Sequence, residues 1–365
     1  RGGHNFFYIR FSDKKLYSFS PKVDLIFALN DETVKVHSSR LQEDGFILTQ
    51  EMVSDVLKKL NNTKIVNTVG LGFILKYFGL PMDIAAEVIR EELKEDLLDI
   101  NLKALQEGYN LSETKHFLTT SKDENILING NQAVGLGAIA AGCRFYCGYP
   151  MTPSTSILNF MAAHSDDFGI AIDQVEDEVA ALNMALGASY AGVRAMTGSS
   201  GGGFALMVEA LSLAGMIEVP VVLINVQRPG PATGFPTRTE QADLGFMIHA
   251  GHGEFPRMVI ALRDAEDAFY QTARAFNIAE KYQIPVLLLS DQHLADSVTT
   301  VKPFDFTKIK IERYISGKEA VTDEEYKRYK FTEDGISPRI LPGKVPGQVV
   351  LVDSDEHDEW GHITE

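Results

Sequence analysis

The fold is decided by the stretch GIAIDQVEDEVAALNMALGASYAGVRAMTGS, residues 169–199. Its two ends, 169–174 and 193–199, are short apolar runs typical of strands, and the residues between them have the composition and length of a helix. Three carboxylates, at positions 176 to 178, mark the start of that helix. Strands joined by a helical crossover run parallel, so this unit predicts a parallel sheet.

The same alternation of strands and helices extends from residue 130 to residue 297. Further helices are predicted at 131–142, 153–165, 202–217 and 265–281, and further strands at 144–150, 219–227, 256–263 and 284–291. Strands that alternate with helices of ten or more residues imply an α/β fold, with a mostly parallel sheet covered by helices on both faces.

The flanking sequence follows other patterns. Residues 1–110 predict a first α/β unit, 111–129 a linker with one small strand, 298–346 a charged connecting segment, and 347–365 the start of a third α/β domain. Strands are predicted at 5–12, 22–30 and 348–354, and helices at 67–79, 81–93 and around 103–109. Because the chain opens on Arg1 rather than Met, we expect its natural start to lie outside this sequence, and its natural end as well.

Composition limits the class of partner. A formal net charge of -16 argues against nucleic acid and anionic membranes, and no apolar run reaches the roughly 18 residues of a membrane span. Cys143 and Cys147 lie four residues apart in a predicted strand, where both would face the same side. Two cysteines cannot build a disulfide framework or supply the four ligands of an iron–sulfur cluster, so we expect a cytoplasmic protein with buried, inert thiols, the alternative being a redox pair.

Ligands of open α/β sheets bind beyond the carboxyl ends of the strands, and three loops at such positions are unusual. The first, GYPMTPST at 148–155, places Tyr149 and Pro150 directly after a strand. Thr152 and Pro153 suit the cap and the first position of a helix, which is the ordinary structural explanation. The additional proline at position 150 stiffens the turn, as a loop that orients the Thr152 hydroxyl would require.

The other two loops are TGSSGGG at 197–203 and the proline-rich segment 227–245. Glycines let a backbone approach a ligand, but the first of these loops matches neither the phosphate loop nor the dinucleotide fingerprint. The second carries Arg228, which could be a solvated arginine on a stiff loop, with Thr237 or Thr239 capping the next helix. Alternatively, the prolines fix its guanidinium where a substrate carboxylate can bind.

The three acids at 176–178 also admit two interpretations. Acids in a first helical turn interact favourably with the helix dipole, by about 0.3–1 kcal/mol each, which accounts for Glu176 and Asp177. Glu178 precedes a helix that is predicted to offer only Ala, Gly and Met along its buried side, against which backbone or a flat ligand could pack and exclude water. Burial favours the neutral form of a carboxyl group, which suits a hydrogen bond to a ring nitrogen. Capping remains the simpler explanation for any single acid.

Three segments resemble a known family. CGYPMTPST at 147–155, QVEDEVAALNMALGASYAGVRAMTGSSGGGFALM at 174–207 and QRPGPATGFPTRTEQADL at 227–244 look like the α subunit of 2-oxoacid:ferredoxin oxidoreductases. The resemblance covers residues 130–297, and residues 1–110 are similar to the γ-type domain that many members carry ahead of it. It implies that 130–297 form the pyrimidine-binding domain of a thiamine diphosphate enzyme.

The resemblance also implies roles for matching residues. Glu178 lies nine residues before Gly187, which is the spacing of the glutamate of thiamine enzymes to its helix glycine. It would bond N1′ of the cofactor's aminopyrimidine ring and promote removal of the C2 proton. Thr152, Arg228 and Thr237 would bind substrate, with the arginine holding the carboxylate of the 2-oxoacid.

Four further positions are implied as contacts of the cofactor: Tyr149, Pro150, Gly198 and Ser199. The last two belong to the loop 197–203, where TGSSGGG replaces a commoner TSTSGPG-like form. This departure leaves open how the loop shapes the substrate pocket.

Other parts of the family's machinery are expected in a different chain. The sequence has no GDG followed by an asparagine for holding Mg²⁺ and diphosphate, and no set of cysteines for a cluster. The resemblance therefore implies a β subunit that carries Mg²⁺, the diphosphate site and an iron–sulfur cluster, in a dimer of heteromers that reduces ferredoxin.

The implied reaction is oxidative decarboxylation of a 2-oxoacid, with 2-oxoglutarate the first candidate, to an acyl-coenzyme A and CO₂. One alternative is a non-oxidative thiamine diphosphate-dependent decarboxylase or synthase subunit. The other is a non-catalytic electron-transfer or nucleotide-binding module.

Histidines outside the three loops could in principle bind a metal. His249 and His252 lie in IHAGHGE, and His357 and His362 lie in an acidic segment near the end of the chain. Loop histidines with local hydrogen bonds and a solvated acidic surface explain both groups more simply, so no metal site is predicted.

Overall fold

The computed structural model describes residues 4–119 and 123–364, which fall into two compact units that divide after Asp123. Residues 120–122 of the predicted linker lie outside the described residues, as do the first three residues and Glu365. No helix of the described residues is long and apolar enough to cross a membrane.

Unit 1 combines a two-stranded parallel sheet with helices. Its elements are β1 (Val23–Ala28), α1 (Asp31–His37), β2 (Leu41–Thr49), α2 (Ser54–Lys59), α3 (Val66–Tyr77), α4 (Asp83–Glu92) and α5 (Glu95–Asn110). Leu48, Val69 and Phe73 are among the residues of its core. Helices α3 and α5 cross closely because Gly72 and Gly108 have no side chains, and a Cβ at either position would overlap backbone of the other helix.

The strand predicted at 5–12 is absent, and the side chains of Phe6, Phe7 and Ile9 are exposed. Among the described residues, β1 pairs with β2 alone, so this segment has no strand beside it to satisfy its backbone. Aromatic content therefore does not suffice to make it a strand. The other predictions for this unit are confirmed: 22–30 contains β1, 67–79 matches α3, 81–93 matches α4, and 103–109 lies within α5.

Unit 2 is built around a six-stranded sheet. The strands of this unit, inside and outside that sheet, are β3 (Ile126–Ile128), β4 (Phe145–Gly148), β5 (Ala171–Gln174), β6 (Ala195–Ser199), β7 (Val221–Gln227), β8 (Met258–Ala261), β9 (Pro285–Asp291), β10 (Thr299–Val301), β11 (Val321–Thr322) and β12 (Glu325–Tyr326). Its helices are α6 (Gly130–Ala140), α7 (Thr155–Ala163), α8 (Ser165–Phe168), α9 (Glu178–Tyr190), α10 (Gly201–Leu206), α11 (Val208–Met216), α12 (Leu244–His249), α13 (Ala265–Tyr282) and α14 (Gln292–Asp296).

The sheet has the strand order β5-β4-β6-β7-β9-β8, and every neighbouring pair is parallel. Val222 and Ile224 of β7 share one core with residues of α6, α7 and α13, whereas Val221 and Leu223 share another with residues of α9, α10 and α11. Both faces are thus covered, as predicted, which explains the continuous apolar runs of the central strands. The parallel direction brings all six carboxyl ends to one edge.

The loop after β4 differs from its prediction. Helix α7 begins at Thr155 with Ser154 at the N-cap, so Thr152 and Pro153 are not the cap and the first helical residue. The Met151 carbonyl accepts the backbone amides of Ser154 and Thr155, and this turn delays the start of the helix.

Two helix boundaries also need correction. Neither Thr237 nor Thr239 caps the following helix, because α12 begins at Leu244 with Asp243 at the N-cap. The helix predicted at 202–217 is divided at Met207 into α10 and α11.

The two cysteines do not share a face. Cys143 lies in the turn before β4 and belongs to the core on the α6 side, whereas Cys147 lies in β4 and belongs to the core on the α9 side. Both are buried and free, as expected, and burial raises the pKa of each thiol to about 12. The reactive thiolate is therefore scarce at neutral pH.

The strand predicted at 348–354 is also absent. This segment instead lies against the helices of unit 2, where the Tyr190 hydroxyl donates to the Val350 carbonyl at 2.7 Å and Val352 packs on the core. A start of a third domain at 347–365 stays a prediction.

Candidate cofactor and substrate site

The start of α9 lies at the carboxyl edge of the sheet, where the three unusual loops converge. Asp177 is the N-cap, and its Oδ1 accepts the backbone amide of Ala180 at 2.7 Å. Glu176 precedes the cap and is exposed, whereas Glu178 is the first helical residue and is 2% exposed. Capping therefore explains Asp177 but not the burial of Glu178.

The carboxyl group of Glu178 has few protein partners. The Ser199 hydroxyl, at the end of β6, lies 3.4 Å from Glu178 Oε1 and 3.6 Å from the Sδ of Met151. Within the described part of the chain, this long hydrogen bond from Ser199 is the one that reaches the carboxyl group. Since a carboxyl group has about four acceptor positions, most of its hydrogen-bonding capacity is available to a ligand.

The small residues of α9 are divided between two faces. Ala181 and Ala185 are buried, together with Leu182, whereas Met184 and Gly187 are on the exposed side. The prediction that Gly and Met line the buried side is therefore wrong. A Cβ at position 187 would meet no atom of the described residues within 4 Å, so the surface beside this glycine is open.

Arg228 follows β7 and is 9% exposed, which excludes the solvated arginine considered above. Its Nη1 donates to the backbone carbonyl of Thr152 at 2.6 Å, so the structure brings these two predicted substrate residues together. Tyr149 and Pro150 are exposed beyond β4, and Thr237 is exposed in the loop that follows the arginine.

The two predicted cofactor contacts in the glycine-rich loop are both buried. A Cβ at Gly198 would lie 2.9 Å from the Tyr146 hydroxyl and 3.1 Å from Ser154 Oγ. The glycine at this position thus makes room for the buried Tyr146. Ser199, its neighbour, contacts the Glu178 carboxyl group instead of solvent.

Sequence reasoning missed a set of polar side chains that holds the Arg228 loop, defined as residues 228–243. Asn225 donates to the Asp243 carboxylate at 2.9 Å, and the Asp243 amide donates to the Gln227 side chain at 2.8 Å. Gln241 donates to Asp291 at 2.6 Å. The signal was present in the sequence, because polar residues close the apolar runs VPVVLINVQ and IPVLLLSD.

The candidate histidines are held by local contacts. His357 Nδ1 lies 2.9 Å from the Asp355 carbonyl, and its ring packs on Tyr329 with centroids 3.8 Å apart. His362 Nδ1 lies 3.5 Å from the Asp358 carboxylate. The described residues contain no group of three or more His, Cys, Asp or Glu side chains arranged to hold a metal ion.

Family comparison agrees with this architecture. Residues 136–365 match the family described as pyruvate flavodoxin/ferredoxin oxidoreductase, thiamine diP-bdg, and residues 1–111 match pyruvate ferredoxin/flavodoxin oxidoreductase. The chain thus contains the thiamine diphosphate-binding domain of this class of oxidoreductase.

Individual relatives define the family further. The 2-oxoacid:ferredoxin oxidoreductase subunit alpha of Sulfolobus sp is 36% identical over 100% of this chain and 69% of its own length. The 2-oxoglutarate synthase subunit KorA of Methanothermobacter thermautotrophicus is 39% identical over 66% of this chain and 62% of its own. The chain belongs to the family of 2-oxoacid:ferredoxin oxidoreductase α subunits.

A solved structure has the same fold. The 2-oxoglutarate:ferredoxin oxidoreductase from Magnetococcus marinus, with 2-oxoglutarate, coenzyme A and succinyl-CoA bound, superposes with a TM-score of 0.88 at 33% identity. The match covers 97% of this chain and 66% of the other, so the chain spans about two thirds of that relative's length. Membership of an oxidoreductase family disfavours the alternative of a non-catalytic module.

Proposed function

We propose that this chain forms part of the α subunit of a thiamine diphosphate-dependent 2-oxoacid:ferredoxin oxidoreductase and supplies the pyrimidine side of the cofactor site. The observation that carries the proposal is Glu178, a carboxyl group that is 2% exposed at the start of a helix and has a single long hydrogen bond from the protein. A buried polar group without sufficient partners is costly, and such groups concentrate at functional sites.

The residues present fit thiamine diphosphate. Glu178 offers its carboxyl group to a ring nitrogen, Gly203 leaves room for that carboxyl group, and the open surface at Gly187 can admit the edge of a ring. When bound, the cofactor supplies the carbon nucleophile that attacks the 2-oxo group. Glu178 exchanges a proton with the pyrimidine nitrogen, and burial excludes water that would compete for that hydrogen bond.

Arg228 is proposed to hold the carboxylate of the substrate. A 2-oxoacid carries this charge beside its reacting carbonyl, so the group that binds it must remain protonated, which a guanidinium does. The hydrogen bond to the Thr152 carbonyl fixes the orientation of Arg228 between two loops at the carboxyl edge of the sheet. Thr152 and Thr237 are proposed to complete the substrate side, with Tyr149 and Pro150 on the cofactor side.

The remaining chemistry is proposed for a β subunit. This sequence has two cysteines, both buried, so electrons would leave through an iron–sulfur cluster in the partner and pass to ferredoxin. The Mg²⁺ and diphosphate sites are assigned to the same partner, in a dimer of heteromers. Acidic ferredoxin would dock away from this chain, whose net charge is -16.

We propose 2-oxoglutarate as the substrate, with succinyl-coenzyme A and CO₂ as products. Support comes from the similarity to a 2-oxoglutarate synthase subunit, and to the solved structure with 2-oxoglutarate, coenzyme A and succinyl-CoA bound.

The test uses the full-length chain co-purified with the products of neighbouring genes, assayed with several 2-oxoacids, coenzyme A and ferredoxin. We expect 2-oxoglutarate to give the highest kcat/KM. Glu178→Gln should lower the rate by about 10²–10⁴-fold, as expected for loss of an acid–base group, whereas the exposed Glu176→Gln should change it little. Equal behaviour of the two variants would remove Glu178 from the mechanism, and acyl product without ferredoxin reduction would favour a non-oxidative enzyme.

A further inference from the structure

The space beside the Glu178 carboxyl group depends on one glycine of α10. A Cβ at Gly203 would overlap both Glu178 Oε1 and Ser199 Oγ, well inside van der Waals contact. The displaced atoms would be the two that form the hydrogen bond between these side chains. A side chain at 203 and the present position of the Glu178 carboxyl group are therefore incompatible.

Backbone geometry does not explain this glycine. Position 203 is helical and is absent from the residues of positive φ, so an alanine could adopt its backbone conformation. Alanine is also the better helix former, by about 1 kcal/mol. The neighbouring Gly202 differs, because a Cβ there would lie 3.4 Å from the Ala232 carbonyl oxygen, which is ordinary contact. Space for the carboxyl group distinguishes position 203 from position 202.

We propose that Gly203 is a positioning residue, which acts on the cofactor site through Glu178. Because Gly203 has no side chain, the Ser199 hydroxyl and the Glu178 carboxyl group can approach each other beside α10. Their hydrogen bond holds the carboxyl group where it can contact the edge of the pyrimidine ring. The inference rests on the proposed function, since it assigns a purpose to the position of Glu178 in that site.

The test is made in the assembled complex of the full-length chain and its partner, with Gly202→Ala as the matched control. Gly203→Ala should weaken thiamine diphosphate binding at least about tenfold, measured by titration calorimetry on the apo complex, because displacing the Glu178 carboxyl group costs its hydrogen bond to the pyrimidine ring. Exchange of the cofactor's C2 proton, followed by NMR, should slow at least as much. Gly202→Ala should match the wild type in both measurements.

A second set of variants separates positioning from general damage to the fold. If Gly203 acts through the acid, Gly203→Ala should cause no further slowing of proton exchange in the Glu178→Gln background. Losses that multiply in the double variant would overturn the proposal. Should Gly203→Ala fail to assemble, Ser199→Ala removes the same hydrogen bond without adding volume, and its effect should likewise disappear in the Glu178→Gln background.

The outcomes also distinguish the two levels of inference. A wild-type complex that binds no thiamine diphosphate would refute the proposed function itself. The positioning role alone would be refuted by a different combination of results. The wild-type complex would bind thiamine diphosphate, Glu178→Gln would lose proton exchange, and Gly203→Ala would behave like Gly202→Ala.

Discussion

Arg228 directly follows β7, and its side chain is buried. Burying such a group is costly unless its donors are satisfied, and one of them is given to the Thr152 carbonyl. The planar fork of a guanidinium matches both oxygens of a carboxylate, so a fixed arginine at the carboxyl edge of a parallel sheet is suited to a 2-oxoacid.

Replacing Arg228 by Ala should lower kcat/KM for the 2-oxoacid by about 30- to 1000-fold, as expected for loss of about 2–4 kcal/mol from a bidentate contact. Arg228→Lys should recover part of the loss, because it restores the charge without the fork. Steady-state kinetics check both, with cofactor affinity expected to stay unchanged. Arg238→Ala, in the exposed part of the same loop, is the control. Near-normal efficiency of the Arg228→Ala enzyme would move carboxylate recognition elsewhere.

At the scale of residues, the sequence predicts which residues belong to the candidate site better than it predicts which atoms they contact. Glu178 could be found because it precedes small apolar residues and has the spacing to Gly187 of the glutamate of thiamine enzymes, and the structure shows it buried. Its contacts with Ser199 and Gly203 join α9 to the end of β6 and the start of α10, and such nonlocal geometry is not encoded in local spacing. The assignment of Gly187 to the buried side was wrong because helix periodicity does not define which face meets the sheet.

At the scale of elements, the Arg228 loop is closed at its far end by Asp243. Its carboxylate accepts from Asn225, and a Cβ at Gly201 would lie 2.6 Å from the same carboxylate. The loop therefore returns to the start of α10 and to the end of the strand from which it left. Asp243 is the N-cap residue of α12, but its side chain makes no cap hydrogen bond. The side chain therefore stabilises the loop and does not cap the helix.

Asp243→Ala should loosen the loop without removing a cap bond. We expect trypsin to cut after the exposed Arg238 at least about tenfold faster, in proportion to the loss of a hydrogen bond to a charged group. KM for the 2-oxoacid should rise while thiamine diphosphate affinity is kept. Glu240→Ala, an exposed acid of the same loop, is the matched control. Proteolysis at the same rate in both variants would show that Asp243 does not hold the loop.

Elements buried on both faces were predicted well, and elements that depend on a distant partner were not. Strands β7 and β9 lie within the predicted runs because each is a mainly apolar stretch in the middle of a sheet. The run at 5–12 has the composition of a strand but no pairing partner in the described structure. The Thr152 cap failed for a similar reason, since a turn centred on the Met151 carbonyl competes with the local helix signal.

At the scale of the whole molecule, the predicted connecting segment 298–346 is part of unit 2 and is bound to its helix α13. Glu280 of α13 is 4% exposed and accepts from Arg194 at 2.8 Å, from Arg313 at 2.9 Å and from Arg339 at 3.3 Å. Two of these arginines, at 313 and 339, belong to the segment. Composition identified it as charged, but could not show that Arg339 is buried against Glu280.

Arg194 extends this network to the sheet. Besides Glu280 it donates to the carbonyls of Ala141, at the end of α6, and Glu312, in the segment. Cationic side chains commonly satisfy the exposed carbonyls at helix C-termini. Burial lowers the pKa of Arg339 to about 10, with Glu280 acting in the opposite direction, so it remains charged at neutral pH. One carboxylate thus accepts hydrogen bonds from three guanidinium groups.

Removing the Glu280 carboxylate should strongly destabilise the folded protein. Glu280→Gln leaves Arg194 and Arg339 as buried charges without a counter-charge, so the free energy of unfolding should fall by about 3–5 kcal/mol. The single tryptophan, Trp360, lies in unit 2 and donates to Glu325, which makes its fluorescence a reporter of urea unfolding there.

The matched control for this prediction is Glu266→Gln. Glu266 is an exposed acid in the first turn of the same helix, and its loss should cost less than about 1 kcal/mol. The segment itself should also become accessible in Glu280→Gln, so trypsin should release fragments cut near Arg313 that the control does not give. If the two variants unfolded at the same urea concentration, the hydrogen bonds of Glu280 with its three arginines would make no specific contribution to stability. The attachment of residues 298–346 would then depend on apolar contacts such as those of Val301 and Phe304 with the core on the α6 side.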